Sequence, residues 1–139
     1  SETPTPEPTD APTPTPPVDD TVNKKTFSTT DTISVTTDVW PITTPSYPFI
    51  RLLMPDGSTL WYQTGVGFSP SPVPYLGFAA GPIITNSPIL DYPALTANFS
   101  GITTGTYVLE SGAVDATQTT SADNLVYFET LDAEELLVE

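Results

Sequence analysis

Phe49-Ile-Arg-Leu-Leu-Met-Pro-Asp-Gly-Ser-Thr-Leu-Trp-Tyr-Gln63 decides the fold class of this 139-residue chain. Two runs rich in aromatic and branched apolar residues flank Pro55-Asp56-Gly57-Ser58. Proline presets φ, aspartate bonds to its own backbone, and glycine takes the left-handed position, so the tetrapeptide closes a β-hairpin. With a side-chain period of two, Phe49, Arg51 and Leu53 face one way and Ile50, Leu52 and Met54 the other. Both faces are largely apolar. One is expected to meet an opposing sheet, the other a long loop.

Working outward, Phe27, Ile33, Val35 and Val39 alternate with polar residues and predict a strand pair over about 25–29 and 31–39. Trp40-Pro41 ends the second strand, and residues 43–46 read as loop. Residues 64–94 carry many glycines and prolines but are too apolar to be solvated. They predict an irregular crossover that packs down, with one short strand near 83–85. Further strands are expected at 95–99, 106–116 and 125–131. Leu136-Leu137-Val138 reads as a terminal strand in preference to a helical turn begun at Asp132. Seven to nine short strands without a helix predict an immunoglobulin-like β-sandwich.

Residues 1–20 form a Pro/Thr-rich acidic linker or tail, and 21–139 the sandwich domain. Alternating prolines favour a solvated polyproline II spacer of about 50 Å, at about 3.1 Å per residue. A spacer of this kind suits an extracellular or cell-surface protein, and Ser1 reads as a mature or trimmed end. Net charge is −14, from 17 acidic and 3 basic residues, which argues against nucleic-acid partners. The chain holds neither histidine nor cysteine, which removes the usual zinc, haem and iron–sulfur ligands and every nucleophile–histidine pair. No apolar run approaches the about 18 residues of a membrane span, so direct insertion is not expected. No cofactor is expected.

Asp31-Thr-Ile-Ser-Val35, the run 53–61, Phe68-Ser-Pro-Ser-Pro-Val-Pro74 and Phe99-Ser-Gly-Ile-Thr-Thr-Gly-Thr-Tyr107 resemble an immunoglobulin-like module of bacterial secreted and cell-surface multidomain proteins. With the stretch around Val114, the resemblance spans about 30–115. It implies a spacer, adhesive or assembly role and carries over no active-site residue. The acidic stretch 132–135 departs from the pattern.

No residue set forms a recognisable catalytic site, and the chain reads as non-enzymatic. Lys24 or Lys25 would be the only base for a serine nucleophile, and neither sits in a motif. Asp19-Asp20 and Asp132, Glu134 and Glu135 could share a calcium ion if the first and last strands adjoin, although a solvated acidic face is the simpler reading. Self-assembly into a homopolymer, or docking to neighbouring domains, would use Val18, Val22, Phe27, Leu136, Leu137 and Val138, with Ile83-Ile84 as a further edge. Trp40, Trp61, Tyr75 and Tyr92 could instead offer a platform for glycans, although core packing competes for them. Asn98 heads an Asn-x-Ser acceptor pattern, and Thr13 and Thr15 are candidates for O-glycosylation.

Overall fold

The turn at residues 55–58 closes as its composition requires. In the computed structural model, Met54 N donates to Ser58 O and Gly57 N to Met54 O, at 2.8 and 3.0 Å. Asp56 Oδ1 accepts from the Ser58 amide and hydroxyl, and Gly57 sits at φ +88°. The structure describes residues 16–98, 101–119, 125–128 and 131–139.

The hairpin arms are β4 (Ile42–Leu53) and β5 (Thr59–Gln63). Around them lie β1 (Val18–Val22), β2 (Thr26–Phe27), β3 (Thr32–Val39), β6 (Gly67–Ser69), β7 (Ile83–Thr85), β8 (Ile89–Asn98), β9 (Gly105–Asp115) and β10 (Asp132–Val138). One sheet has the order β1-β3-β8. The other runs β2-β10-β9-β4-β5-β6, with β7 on the first part of β4. The chain is an all-β protein with two sheets in a sandwich-like arrangement.

Both faces of the hairpin are buried, as expected. Ile50 and Leu52 meet Ile33, Val35 and Leu95 of the smaller sheet, together with Tyr107, Leu109 and Leu136. On the opposite face Phe49 and Trp61 pack with Val114 under Val73 and Tyr127. Among the described residues of the expected strand 125–131, Tyr127 alone forms a bridge, to Val114, while Phe128 N and Val126 O bond to Ala113 O and Asp115 N.

Several elements depart from expectation. β4 begins at Ile42 and runs through the expected loop 43–46. Pro45 falls in the register break opposite β7, and Pro48 lies between the residues that pair with β7 and those that pair with β5. Pro48 turns its polar edge away from β9 into that gap, where its carbonyl accepts from Tyr75 N at 2.8 Å, and Pro45 stands just past the last pair with β9, Ser46 with Asp115, its carbonyl accepting from Ala116 N at 3.0 Å. The crossover does contain β7, but it also holds β6, a 3₁₀ turn at Phe78–Ala80, and the first half of β8. β2 is only two residues long. It pairs in parallel with β10 rather than with β3, because the chain changes sheet after β1. β1 itself begins inside the expected linker. Val18 and Asp20 are buried, so the sheet claims the last three residues of 1–20. The C-terminal segment is a strand, longer than expected, over Asp132–Val138.

Candidate functional site

Among the described residues the ten-residue strand β8 pairs with β3 alone, so its other side, over residues 89–97, is a free sheet edge. Two apolar hollows lie beneath it, between the sheets. The first, of about 220 Å³, opens between β8 and β7 and is lined by Val39, Ile50, Leu76, Ile83, Ile89 and Tyr92, among others. The second, of about 100 Å³, follows the other half of β8 past Leu95 and Ala97 to Leu52, Leu60 and Phe68. Leu76, Ile89, Leu90 and Tyr92 stand 40%, 43%, 57% and 45% exposed at the rim. An unpaired strand edge over an apolar cleft is a ready template for another extended chain.

Tyr75 lines the first hollow and ties it to β8. A register break in β8 leaves Ala94 without a partner on β3, and the Tyr75 hydroxyl donates to the Ala94 carbonyl at 2.5 Å. Its ring stacks on Tyr62 at 5.8 Å and meets the edge of Tyr92 at 6.3 Å. Burial pushes the phenol above its ordinary pKa, so it remains a donor at neutral pH. Tyr75→Phe is expected to cost about 1–3 kcal/mol in urea unfolding, because the Ala94 carbonyl is then left buried and unpaired. A loss within error of zero would show that water replaces the hydroxyl.

A second group of polar side chains lies where β1 crosses β10. Asp19, Asp132 and Glu134 each bring a carboxylate oxygen within 4.8 Å of the others, the approach of first and last strands considered from the sequence. Three oxygens fall well short of the six to eight that calcium takes, and Glu134 is already ion-paired with Lys25. Asp132 Oδ2 accepts from the Asp20 amide at 2.9 Å. Desolvation, reinforced by Asp19 and Glu134, raises the Asp132 pKa to about 6. Asp20 points the other way, into the interior. Its Oδ1 accepts from the Thr37 hydroxyl at 2.7 Å, while Oδ2 has no hydrogen-bond partner among the described residues. Burial lifts its pKa to about 6.

The residues singled out in the sequence are distributed differently from their expected roles. Val18, Phe27, Leu136 and Val138 are at most 2% exposed, held in this chain's own interior, and are therefore not available to a neighbour. The alternation of β10 turns Leu136 and Val138 inward and leaves Leu137 outward. Val22 is half-buried against the core. Trp61 and Tyr75 are buried and Trp40 is half-buried, so of the four aromatics only Tyr92 is exposed, and they do not form one platform. Asn98 ends β8 with its Nδ2 3.5 Å from Thr30 O. Thr13 and Thr15 lie outside the described residues. All three basic side chains are ion-paired: Lys24 to Asp31, Lys25 to Glu134 and Arg51 to Glu110.

The rim residues Leu76, Ile89 and Leu90 carried no functional reading in the sequence. The available signal is an apolar Ile-Leu pair directly after Ser87-Pro88, in a stretch that otherwise reads as packed loop. Among the described residues no helix is long and apolar enough to cross a membrane. No protein-family model, curated protein or solved structure matches this chain.

Proposed function

We propose that this is an extracellular, non-enzymatic structural domain of immunoglobulin-like type, a subunit of a surface polymer or filament. Its cleft along β8 receives an extended segment of a neighbouring molecule. The observation that carries this reading is the free edge of β8 lying directly over two apolar hollows. Strand order supports the immunoglobulin-like part. Sandwiches of that type place four strands, A-B-E-D, in one sheet, and β1-β3-β8 follow the order A-B-E. The position of the fourth strand, beside β8, is the cleft. The Tyr107 hydroxyl, donating to Thr103 O at 2.5 Å from the start of β9, has the pattern of a tyrosine corner. The Pro/Thr-rich first residues support an extracellular setting.

The test is the native mass of the full chain against that of Ile89→Lys/Tyr92→Lys. Both positions are exposed, so the variant is expected to fold, and circular dichroism checks that it does. Concentration-dependent association of the wild type that the double substitution abolishes is the expected result. Association indifferent to these substitutions, or none at all, would overturn the cleft as an assembly site.

A further inference from the structure

We infer that the occupant of the cleft is the Thr-Pro segment, residues 3–15, of the next copy of this chain, added to β8 as a new edge strand. The inference rests on the assembly reading above and names its partner.

The argument begins with parity. Pro4, Pro6, Pro8, Pro12 and Pro14 all fall at even positions, and the interruption at residues 9–11 preserves the phase. In a β-strand, successive residues turn their N–H and C=O groups to opposite edges and their side chains to opposite faces. As a strand, this segment has every proline on one edge. The odd residues, all with an N–H, line the other. Proline is tolerated in sheets where its missing donor faces solvent, as on the outer side of an edge strand. The odd edge can therefore complete the ladder along β8 while the even edge ends it without offering another row of donors. One of the two strand directions also turns the proline rings inward, over the apolar hollows, and the threonines outward. Polyproline II, the form expected of the segment when solvated, repeats every three residues and so does not itself require the prolines to keep one parity.

Length and exit direction place the segment on a neighbour. Thirteen extended residues span about 43 Å, against about 33 Å for the ten of β8, which leaves a short connector. The chain leaves the domain through Pro16-Pro17, with Pro17 O accepting from Trp40 N at 2.9 Å beside the end of β3. β1 and β8 lie on opposite sides of β3. To reach its own cleft the tail would have to reverse across β3. Two consecutive prolines, each with φ fixed and with the α region disfavoured before it, oppose that reversal. Tail into the next cleft is a head-to-tail contact that does not close on itself, and its product is a filament.

The test uses the full chain in sedimentation velocity and negative-stain microscopy. Thr5→Pro/Thr9→Pro/Thr13→Pro places proline on both edges and is expected to reduce polymer at least about tenfold. Pro4→Thr/Pro8→Thr/Pro14→Thr restores donors only on the outer edge and is expected to retain it. Polymer that withstands the first set, or is lost only with the second, would overturn strand addition. If such polymer is still abolished by Ile89→Lys/Tyr92→Lys, the cleft reading stands and the tail as its occupant fails. The chain has no cysteine, so Thr9→Cys/Leu90→Cys separates partner from self under oxidising conditions. A ladder of disulfide-linked copies is expected, and a closed monomer would overturn the exchange between copies.

Discussion

Asp20→Asn is expected to stabilise the domain at pH 7 by about 2 kcal/mol and to flatten its stability between pH 4 and 7. The native carboxyl is buried, with one oxygen bonded to Thr37 and the other without a hydrogen-bond partner among the described residues. Its pKa is raised from 3.8 to about 6, chiefly by desolvation. Between those two values the folded chain holds a proton that the unfolded chain has released. Stability therefore rises as pH falls from 7 through 6 towards 4, and at pH 7 the whole cost of burying the charge remains, about 3 kcal/mol. Asp132, also raised to about 6 but half exposed, acts in the same direction. Asp31, Asp56 and Asp115 have lowered pKa values from hydrogen bonds with Lys24, Ser58 and Thr117, so their contribution is lost on further acidification. Asparagine keeps an acceptor for Thr37 and carries no charge. Urea unfolding from pH 4 to 8 measures the effect, and a wild-type stability that is flat or rising over pH 4–7 would refute it.

Arg51→Ala is expected to cost about 3 kcal/mol, in the range for breaking a pair held largely out of water. The guanidinium carbon stands 5.3, 5.1 and 5.3 Å from the ring centroids of Phe49, Trp61 and Tyr127. Nε bonds to Glu110 Oε1 at 3.1 Å and Nη1 to the Tyr127 hydroxyl at 3.1 Å. Both charged side chains are less than one-fifth exposed. Removing the arginine leaves Glu110 unpaired and takes away what holds Tyr127 over the sheet. Trp61 fluorescence reports the change directly. Arg51→Ala/Glu110→Ala is expected to be less destabilised than the sum of the single variants, since it abolishes the unpaired charge. Simple additivity would show that the pair contributes nothing beyond packing.

The hairpin was legible because its determinants are local: a turn tetrapeptide and a period of two. The terminal strand was legible because the piece is too short to hold as a helix on its own, and Leu136 and Val138 differ from expectation only in function. Burial there depends on β9 and β2, which lie far away in sequence. β4 was half hidden. Pro45 and Pro48 look like strand breakers until it is known that one stands past the end of the β9 ladder and the other faces the gap between β7 and β5. Asp20 reads in sequence as part of a solvated acidic face with Asp19, because nothing local tells which of two adjacent aspartates faces inward. The cleft was the least legible feature. A free edge is defined by the strand that does not pair with it, and that depends on where the whole crossover 64–94 settles. β7 joins β4 and so leaves the place beside β8 open.

The parallel contact between β2 and β10 has a mechanical consequence. β2 follows the start of the described chain and β10 ends it, and the two run in the same direction. Once β1 has parted from β3, a pull on the two ends in opposite directions slides these strands past one another. It loads Leu137 N to Lys25 O and Glu139 N to Phe27 O together, rather than peeling them one at a time. The Lys25–Glu134 ion pair lies across the same seam, and the Asp20–Asp132 bond ties β1 to β10 beside it. A subunit strung along a filament would meet tension on the contacts best arranged to resist shear.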